Sequence, residues 1–91
     1  MTPSIRYRHQ RRDQGNIAAT ELKVRASARE AGDDFESLCD MMDVLAFPLG
    51  VFINIGTADT HAARLPERAQ GRIVCFATEI TADGIRIRRE P

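Results

Sequence analysis

Two side chains in a strand-like stretch, Glu21 and Lys23, have the types and spacing to do electrostatic or acid–base chemistry together. Lys23 is the only lysine of the 91-residue chain, whose other twelve basic side chains are arginines. A compact, mobile ammonium suits roles that a planar guanidinium fills poorly. Because successive strand side chains point to opposite faces, Glu21 and Lys23 would lie side by side on one face. The same pair is also typical of an ordinary charge pair on an exposed strand.

The composition predicts one small soluble domain over residues 1–91. Hydrophobic residues make up 43% of the chain and charged residues 29%, as in a folded globular protein. The sequence has no apolar run of membrane-spanning length and no signal-peptide pattern, so we expect a cytoplasmic protein. Cys39 and Cys75 lie far apart in apolar runs, which predicts buried free thiols.

Charge is unevenly distributed along the chain although the formal net charge is zero. Residues 1–32 carry seven basic and three acidic side chains, whereas residues 33–46 carry five acidic and no basic ones. Residues 47–91 carry six basic and five acidic side chains. A basic surface next to an acidic helix is compatible with phosphate binding. The profile lacks the strongly basic balance of a dedicated DNA-binding module.

The hydrophobic pattern predicts two strands, a helix, a third strand and a final hairpin. The expected elements are strands over 4–12 and 17–28, a helix over 33–45, a strand over 51–55, and hairpin strands over 72–80 and 85–89. A strand–helix–strand order with this connection length implies parallel pairing of the second and third strands. The predicted fold class is therefore α/β (α+β), with a mixed sheet in β-β-α-β order followed by a β-hairpin.

The predicted helix has an acidic face and an apolar face. Asp33 is the expected N-cap, with Glu36 completing a capping box, and residues 28–32 form a connector. The apolar stripe consists of Phe35, Leu38, Met42 and Leu45, while Glu36, Asp40 and Asp43 face solvent. Residues 57–71 are expected to form an irregular polar loop with a short helix before Pro66.

The order of these elements, with Glu-x-Lys on the second strand of a hairpin, resembles the PD-(D/E)xK nuclease superfamily. The stretch from Pro3 to Ile17, followed by Thr20-Glu21-Leu22-Lys23, looks like bacterial members with a "PDI…H.RG…NNLLVIELK" hairpin before the helix. The helix starting Asp33-Asp34-Phe35 and the strand over 50–55 are also similar. The resemblance covers about residues 3–56 and implies a minimal restriction-endonuclease-like core.

The resemblance implies a metal-dependent nuclease acting on DNA, a hydrolase of phosphodiesters. Glu21 and Lys23 would be the catalytic pair, with Mg²⁺ or Mn²⁺ held by Glu21, the backbone carbonyl of Leu22 and the residue at position 4. Lys23 would orient the attacking water or stabilise the developing oxyanion. The residues expected to contact nucleic acid are Arg6, Arg8, His9 and Arg25.

The chain departs from the family pattern at the first metal ligand. The family has an aspartate after the proline, and here that position is Ser4, whose neutral hydroxyl is a weak substitute for a carboxylate. If Arg12 pairs near Ile17, Arg8 lies opposite Glu21 and Ser4 opposite Arg25. Asp13 would then be too distant to replace the missing ligand. Arg6, Arg8 and Arg25 would neutralise Glu21 in a salt-bridged surface, which competes with a cation for the carboxylate.

Three functions therefore remain open. The first is a nuclease-like enzyme, impaired by Ser4. The second is a degenerate nuclease-fold protein that binds nucleic acid or a protein. The chain begins at the first strand, without the family's preceding helix, so we expect bare apolar sheet surface and a homodimer or another subunit covering it. The third is a small immunity or inhibitor protein, with an acidic helix carrying Asp33, Asp34, Glu36, Asp40 and Asp43.

Overall fold

A computed structural model describes the backbone of residues 4–11 and 15–90 and the side chains of residues 18–90. Within them lie five strands and one α-helix: β1 (Ser4–Arg11), β2 (Gly15–Val24), α1 (Ala28–Leu45), β3 (Leu49–Ile55), β4 (Ile73–Thr81) and β5 (Gly84–Glu90). Two short 3₁₀ turns, Ala62–Arg64 and Glu67–Ala69, interrupt the loop between β3 and β4. No helix of this described part is long and apolar enough to span a bilayer.

The strands form one mixed sheet in the order β1-β2-β3-β4-β5. The central pairs, β2 with β3 and β3 with β4, are parallel, whereas β1 and β5 run antiparallel to their neighbours. This confirms the α+β class, the mixed sheet and the predicted parallel pairing across the helix. The final hairpin is also confirmed, with Thr81 paired to Gly84 across a two-residue turn.

Helix α1 begins one and a half turns earlier than predicted. Its N-cap is Ser27, whose hydroxyl accepts a hydrogen bond from the Glu30 backbone amide, while the Glu30 side chain accepts one from the Ser27 amide. The prediction of Asp33 as N-cap was therefore wrong, and residues 28–32 are the first helical turns instead of a connector. Strand β2 correspondingly ends at Val24. A reciprocal capping box satisfies two amides that lack helical partners, which stabilises the earlier start.

The helix packs on one face of the sheet, and its apolar stripe forms the core. Phe35, Leu38 and Met42 are buried there, as predicted. The Phe35 ring meets the Phe52 ring edge to face, with centroids 5.0 Å apart. Gly50 permits the close approach, since an added Cβ would lie 2.7 Å from Met42 Sδ. We call this side of the sheet the covered face; it includes Ala19, Glu21 and Lys23 of β2, Phe52 and Asn54 of β3, and Ile73, Cys75 and Ala77 of β4.

The register of the first hairpin differs from the prediction. Arg6, not Arg8, is the partner of Glu21, and Ser4 pairs with Lys23, not with Arg25. The prediction placed the turn too far along the chain: Arg11 already pairs with Gly15, and a one-residue shift between His9 and Gln10, as at a β-bulge, only partly offsets the difference. Asp13, the rejected substitute ligand, lies outside the described residues.

Candidate functional site

Glu21 and Lys23 both lie on the covered face of β2, next to the helix. The Glu21 side chain is only 1% exposed, although the sequence had suggested a salt-bridged surface. The Glu21 carboxylate therefore does not lie at the surface, because α1 covers this face and leaves Leu22 and Val24 on the other side. A carboxylate this deeply buried is inaccessible to a phosphodiester substrate in solution.

Lys23 binds a residue of the helix. Its Nζ atom lies 3.2 Å from Oδ1 and 3.0 Å from Oδ2 of Asp34. The two side chains are 13% and 8% exposed, so the ion pair is largely removed from water. Removing charges from water is costly, and close geometry with direct hydrogen bonds offsets that cost. The ion pair therefore joins β2 to α1, and the compact ammonium of the single lysine suits a site between strand and helix.

The other residues proposed for the nuclease site fall into two groups. The backbone register places Ser4 directly across from Lys23 and Arg6 across from Glu21. The three positions that the resemblance assigns to catalysis and metal binding, Ser4, Glu21 and Lys23, are therefore neighbours in the sheet. Arg8 and His9 pair with Ala19 and Ala18, farther along β2. The side chains of these four β1 residues lie outside the described part of the chain.

Arg25 does not lie on the covered face with Glu21. It follows the last residue of β2, has a left-handed backbone with a φ of 50°, and is exposed. Its amide donates to the carbonyl of Ile55 at 2.8 Å, which closes the end of the parallel β2–β3 pair. The aliphatic part of its side chain lies over Gly56. Arg25 therefore lies at the carboxyl end of the sheet.

The described residues do not form the ligand set that Mg²⁺ or Mn²⁺ requires. Hard divalent cations take several oxygen ligands, usually including carboxylates. The Asp34 carboxylate is bound by Lys23, Glu21 is buried, and Leu22 is mid-strand between Ile5 and Ile53, where carbonyls normally accept ladder hydrogen bonds. No group of three histidine, cysteine, aspartate or glutamate side chains with metal-binding geometry occurs among residues whose side chains are described. That same part of the chain contains no ligand-sized cavity.

Asn54 forms a buried polar cluster that the sequence reading missed. The side chain is fully buried, and its Oδ1 accepts from the Ala26 amide at 2.8 Å while its Nδ2 donates to the Asp59 carbonyl at 2.9 Å. His61 Nε2 lies 2.7 Å from the Ala26 carbonyl, which can only accept, so Nε2 donates this hydrogen bond. The cluster connects the turn before α1 to the loop after β3. Its polar groups bond to the backbone, which indicates a structural role.

The acidic face of α1 is neutralised within the molecule. Arg68 lies 2.9 Å from Glu36 and 3.0 Å from Asp40, and Arg72 lies 2.6 Å from Asp43. Glu36, Asp40 and Asp43 are exposed, as predicted, and Arg68 and Arg72 from the loop before β4 form ion pairs with them. Asp34 is not part of this face, because it is buried against Lys23. Two arginines thus pair with the three exposed carboxylates of this face.

The other side of the sheet is apolar and has no layer packed on it in the described part of the chain. We call it the open face; it consists of the β2–β5 residues that alternate with those of the covered face. Its large exposed apolar side chains are Val24, Leu49, Ile55, Ile80, Ile85 and Ile87. The helix and both 3₁₀ turns pack together on the opposite side. Parallel strands are normally buried on both faces, so an uncovered apolar face of this kind is unusual beside parallel strands.

The exposure of the open face rises toward the final hairpin. Val24 and Ile55, which are neighbours on β2 and β3, are each 39% exposed. Ile87 lies on β5 across from Val24 and Ile55, connected to them through Thr78 of β4, and is 67% exposed. The cross-strand partners Ile80 and Ile85 are 87% and 73% exposed. These three isoleucines form the most accessible part of the face.

No protein-family model, curated protein sequence or solved structure matches this chain.

Proposed function

We propose that this chain is a non-catalytic, protein-binding domain on a nuclease-like scaffold, with the open face as its binding surface. The observation that carries the proposal is the bare apolar face of a sheet whose central strands are parallel. Apolar patches on soluble proteins are commonly sites of protein association. Burying β-branched side chains such as Ile80, Ile85 and Ile87 contributes about 1.5–3 kcal/mol each when burial is complete.

The state of the Glu-x-Lys pair supports a non-catalytic role. A metal-dependent hydrolase needs its carboxylate on the cation and its lysine near the attacked phosphorus. In this chain Glu21 is buried and the Lys23 ammonium binds Asp34, which belongs to the helix. The same residue types here join a strand to a helix.

Site-specific crosslinking tests the binding function. A photoreactive phenylalanine analogue is introduced at position 87 on the open face or, as a control, at position 44. Val44 is an exposed apolar residue of α1, 80% exposed. The proposal predicts a discrete crosslinked protein from position 87 in producing cells, absent from position 44 and lost when Ile85→Glu is added. A chain that gives no such product from position 87 is not a binding protein that uses this face.

The second candidate is DNA cleavage, favoured by one observation. Ser4 is the cross-strand partner of Lys23, so a carboxylate restored at position 4 would adjoin the Glu-x-Lys pair. The test is plasmid cleavage by Ser4→Asp with Mg²⁺ or Mn²⁺, compared with Ser4→Asp/Glu21→Ala. Our proposal predicts no cleavage by either protein. Metal-dependent cleavage by Ser4→Asp that the second substitution abolishes would establish a nuclease site, with Arg6, Arg8, His9 and Arg25 as candidates for DNA contact.

A further inference from the structure

The last strand of the sheet, β5, has one long edge that no element of the described part of the chain covers. β5 ends the strand order and pairs with β4 alone among the described strands, and its residues from Gly84 to Arg89 are all exposed. The pairing with β4 continues without a register shift, and the strand contains no proline. Bulges, prolines and covering elements commonly block a sheet edge, so this edge keeps a regular geometry for pairing.

The register of the hairpin determines which backbone groups of β5 face this free edge. A two-residue turn separates Thr81 from Gly84, and residues that flank such a turn exchange both backbone hydrogen bonds. Bonded and non-bonded pairs then alternate along an antiparallel ladder. The amides and carbonyls of Ile85, Ile87 and Arg89 therefore point away from β4. A further strand can hydrogen-bond to them, as in peptide recognition by strand addition.

The side chains of β5 alternate between aliphatic and basic. Ile85 and Ile87 lie on the open face and are 73% and 67% exposed, while Arg86 and Arg88 lie on the other side. Arg89 follows on the open face, across from Phe76 of β4. Residues directly opposite each other in neighbouring strands have their side chains on the same side of the sheet. An added strand that matches residues 85–88 therefore alternates in character as well.

The arginines of β5 can accept acidic partners. Arg86 Nη1 lies 3.7 Å from Glu79 and Arg88 Nε lies 3.3 Å from Glu90, and the two arginine side chains are 68% and 62% exposed. Arg89 has no ion-pair partner among the described residues. Opposite charges directly across two strands stabilise their pairing. The charge of this edge therefore favours a strand with carboxylates.

The same arginines disfavour a second copy of β5 as the added strand. In an antiparallel twofold pairing, residues on the same side oppose each other, so registers centred on residues 86 to 89 place arginine opposite arginine. Like charges directly opposite destabilise a strand pair. The charges of β5 therefore distinguish an acidic strand from a second copy of this chain.

We infer that the free edge of β5 binds an extended segment of another protein whose side chains alternate between acidic and aliphatic. The acidic side chains lie opposite Arg86 and Arg88, and the aliphatic ones opposite Ile85 and Ile87. The bound segment becomes the next strand of the sheet. This inference goes beyond the proposed function, because it concerns the backbone and charges of a sheet edge, and the proposed function concerns the open face.

Fluorescence anisotropy with synthetic peptides and the full chain tests the inference. The probe is a labelled peptide, Ser-Ile-Glu-Ile-Glu-Ile-Ser with blocked ends, and the control peptide has lysine in place of each glutamate. We expect saturable binding of the acidic peptide to the wild-type chain at hundreds of micromolar protein or less. The lysine peptide should bind at least about tenfold more weakly. The acidic peptide with methylated backbone amides should also bind at least about tenfold more weakly, because it cannot donate to the β5 carbonyls.

Charge reversal on the protein tests the position of the site. Arg86→Glu/Arg88→Glu should exchange the preference, binding the lysine peptide more tightly than the acidic one. Arg29→Glu/Arg64→Glu reverses two exposed arginines outside β5 and should keep the wild-type preference.

Three results would overturn the inference: no binding of the acidic peptide to the wild-type chain, equal binding of the acidic and lysine peptides, or undiminished binding of the methylated peptide. These comparisons use the wild-type chain alone, so they decide the question even where a variant does not fold. A folded Arg86→Glu/Arg88→Glu protein that keeps the wild-type preference would also overturn it. Crosslinking from position 87 to a partner on the open face tests the proposed function separately.

Discussion

The covered face of the sheet holds the buried polar residues, whereas the open face holds the exposed isoleucines. Glu21 and Asn54 are 1% and 0% exposed beneath α1, while Ile80 is 87% exposed on the other side. The contrast shows that polarity does not identify the buried face of this sheet. Polar residues can occupy a covered face when each finds a partner, as Lys23 and Asn54 do. The apolar residues left on the open face form the surface that we propose for association.

The largest difference in stability is expected between two variants that each truncate one large side chain, one on the covered face and one on the open face. Phe52→Ala removes a fully buried ring that packs on Phe35, so we expect about 3–5 kcal/mol of destabilisation. Ile85→Ala changes a side chain that is mostly exposed in the single chain, and should alter its stability by about 0.5 kcal/mol or less. Urea unfolding of dilute, monomeric protein measures both. Equal losses would contradict the assignment of covered and open faces.

Breaking the ion pair between Lys23 and Asp34 should have the next largest effect. Asp34→Ala leaves an ammonium with little solvent and no helix partner, so we expect a loss of about 3 kcal/mol, the lower end for a buried pair. The double variant Lys23→Met/Asp34→Leu should recover much of it, because both charges are gone. Asp33→Ala, at the exposed neighbouring position, is the control and should cost about 0.5 kcal/mol or less. If the losses of Lys23→Met and Asp34→Leu, measured separately, add up to the loss of the double variant, the two side chains are not coupled.

Alkaline pH should lower the free energy of unfolding, because the thiol of Cys75 is buried on the covered face. Burial, with a smaller contribution from Glu90, raises the pKa of the Cys75 thiol from 9.0 to about 12. A raised folded-state pKa contributes stability that is complete below the unfolded value and is lost as pH rises through the folded value. The free energy of unfolding should therefore fall between about pH 9 and 12. Cys75→Ala should show a shallower decline than wild type, and identical slopes would count against the burial of this thiol.

The arginines on the acidic helix face should matter least. Arg68→Ala removes contacts to Glu36 and Asp40, but these side chains are well exposed and screened by water. Exposed ion pairs typically contribute about 0–1 kcal/mol. We expect a loss in that range, smaller in high salt, measured by urea unfolding at two ionic strengths. A loss of unfolding free energy as large as that of Asp34→Ala would show that these exposed ion pairs stabilise the fold much more than expected.

Local patterns predicted the elements well but not their contacts. The final hairpin, the stripe of Phe35, Leu38 and Met42, and the parallel crossover all depend on short-range signals, and each was predicted. The N-cap was misplaced because two nearby stretches, starting at Ser27 and at Asp33, both have a glutamate three residues after a capping residue. Period-two alternation shows that two sides of a strand differ. It does not show which side a helix will cover.

The candidate site was harder to predict because its decisive contacts are non-local. Nothing near Lys23 in the sequence identifies Asp34, eleven residues later, as its partner. Asp34 also belonged to a run of acids that as a group predicted a solvated face. The register shift near His9 depends on a bulge without a glycine or proline signal. These contacts are set by the packing of α1 on the sheet.

The single lysine permits a direct test of the account. The Lys23 ammonium binds Asp34 and is therefore unavailable to a substrate phosphate. Brief amine acylation of the native protein, with the labelled positions found by mass spectrometry, reports Lys23 as the only side-chain amine. We predict labelling at least about tenfold slower than in the unfolded chain, about 1.4 kcal/mol of protection, and faster labelling in Asp34→Asn. Labelling of native Lys23 as fast as in the unfolded chain would show a free, accessible ammonium and contradict the account.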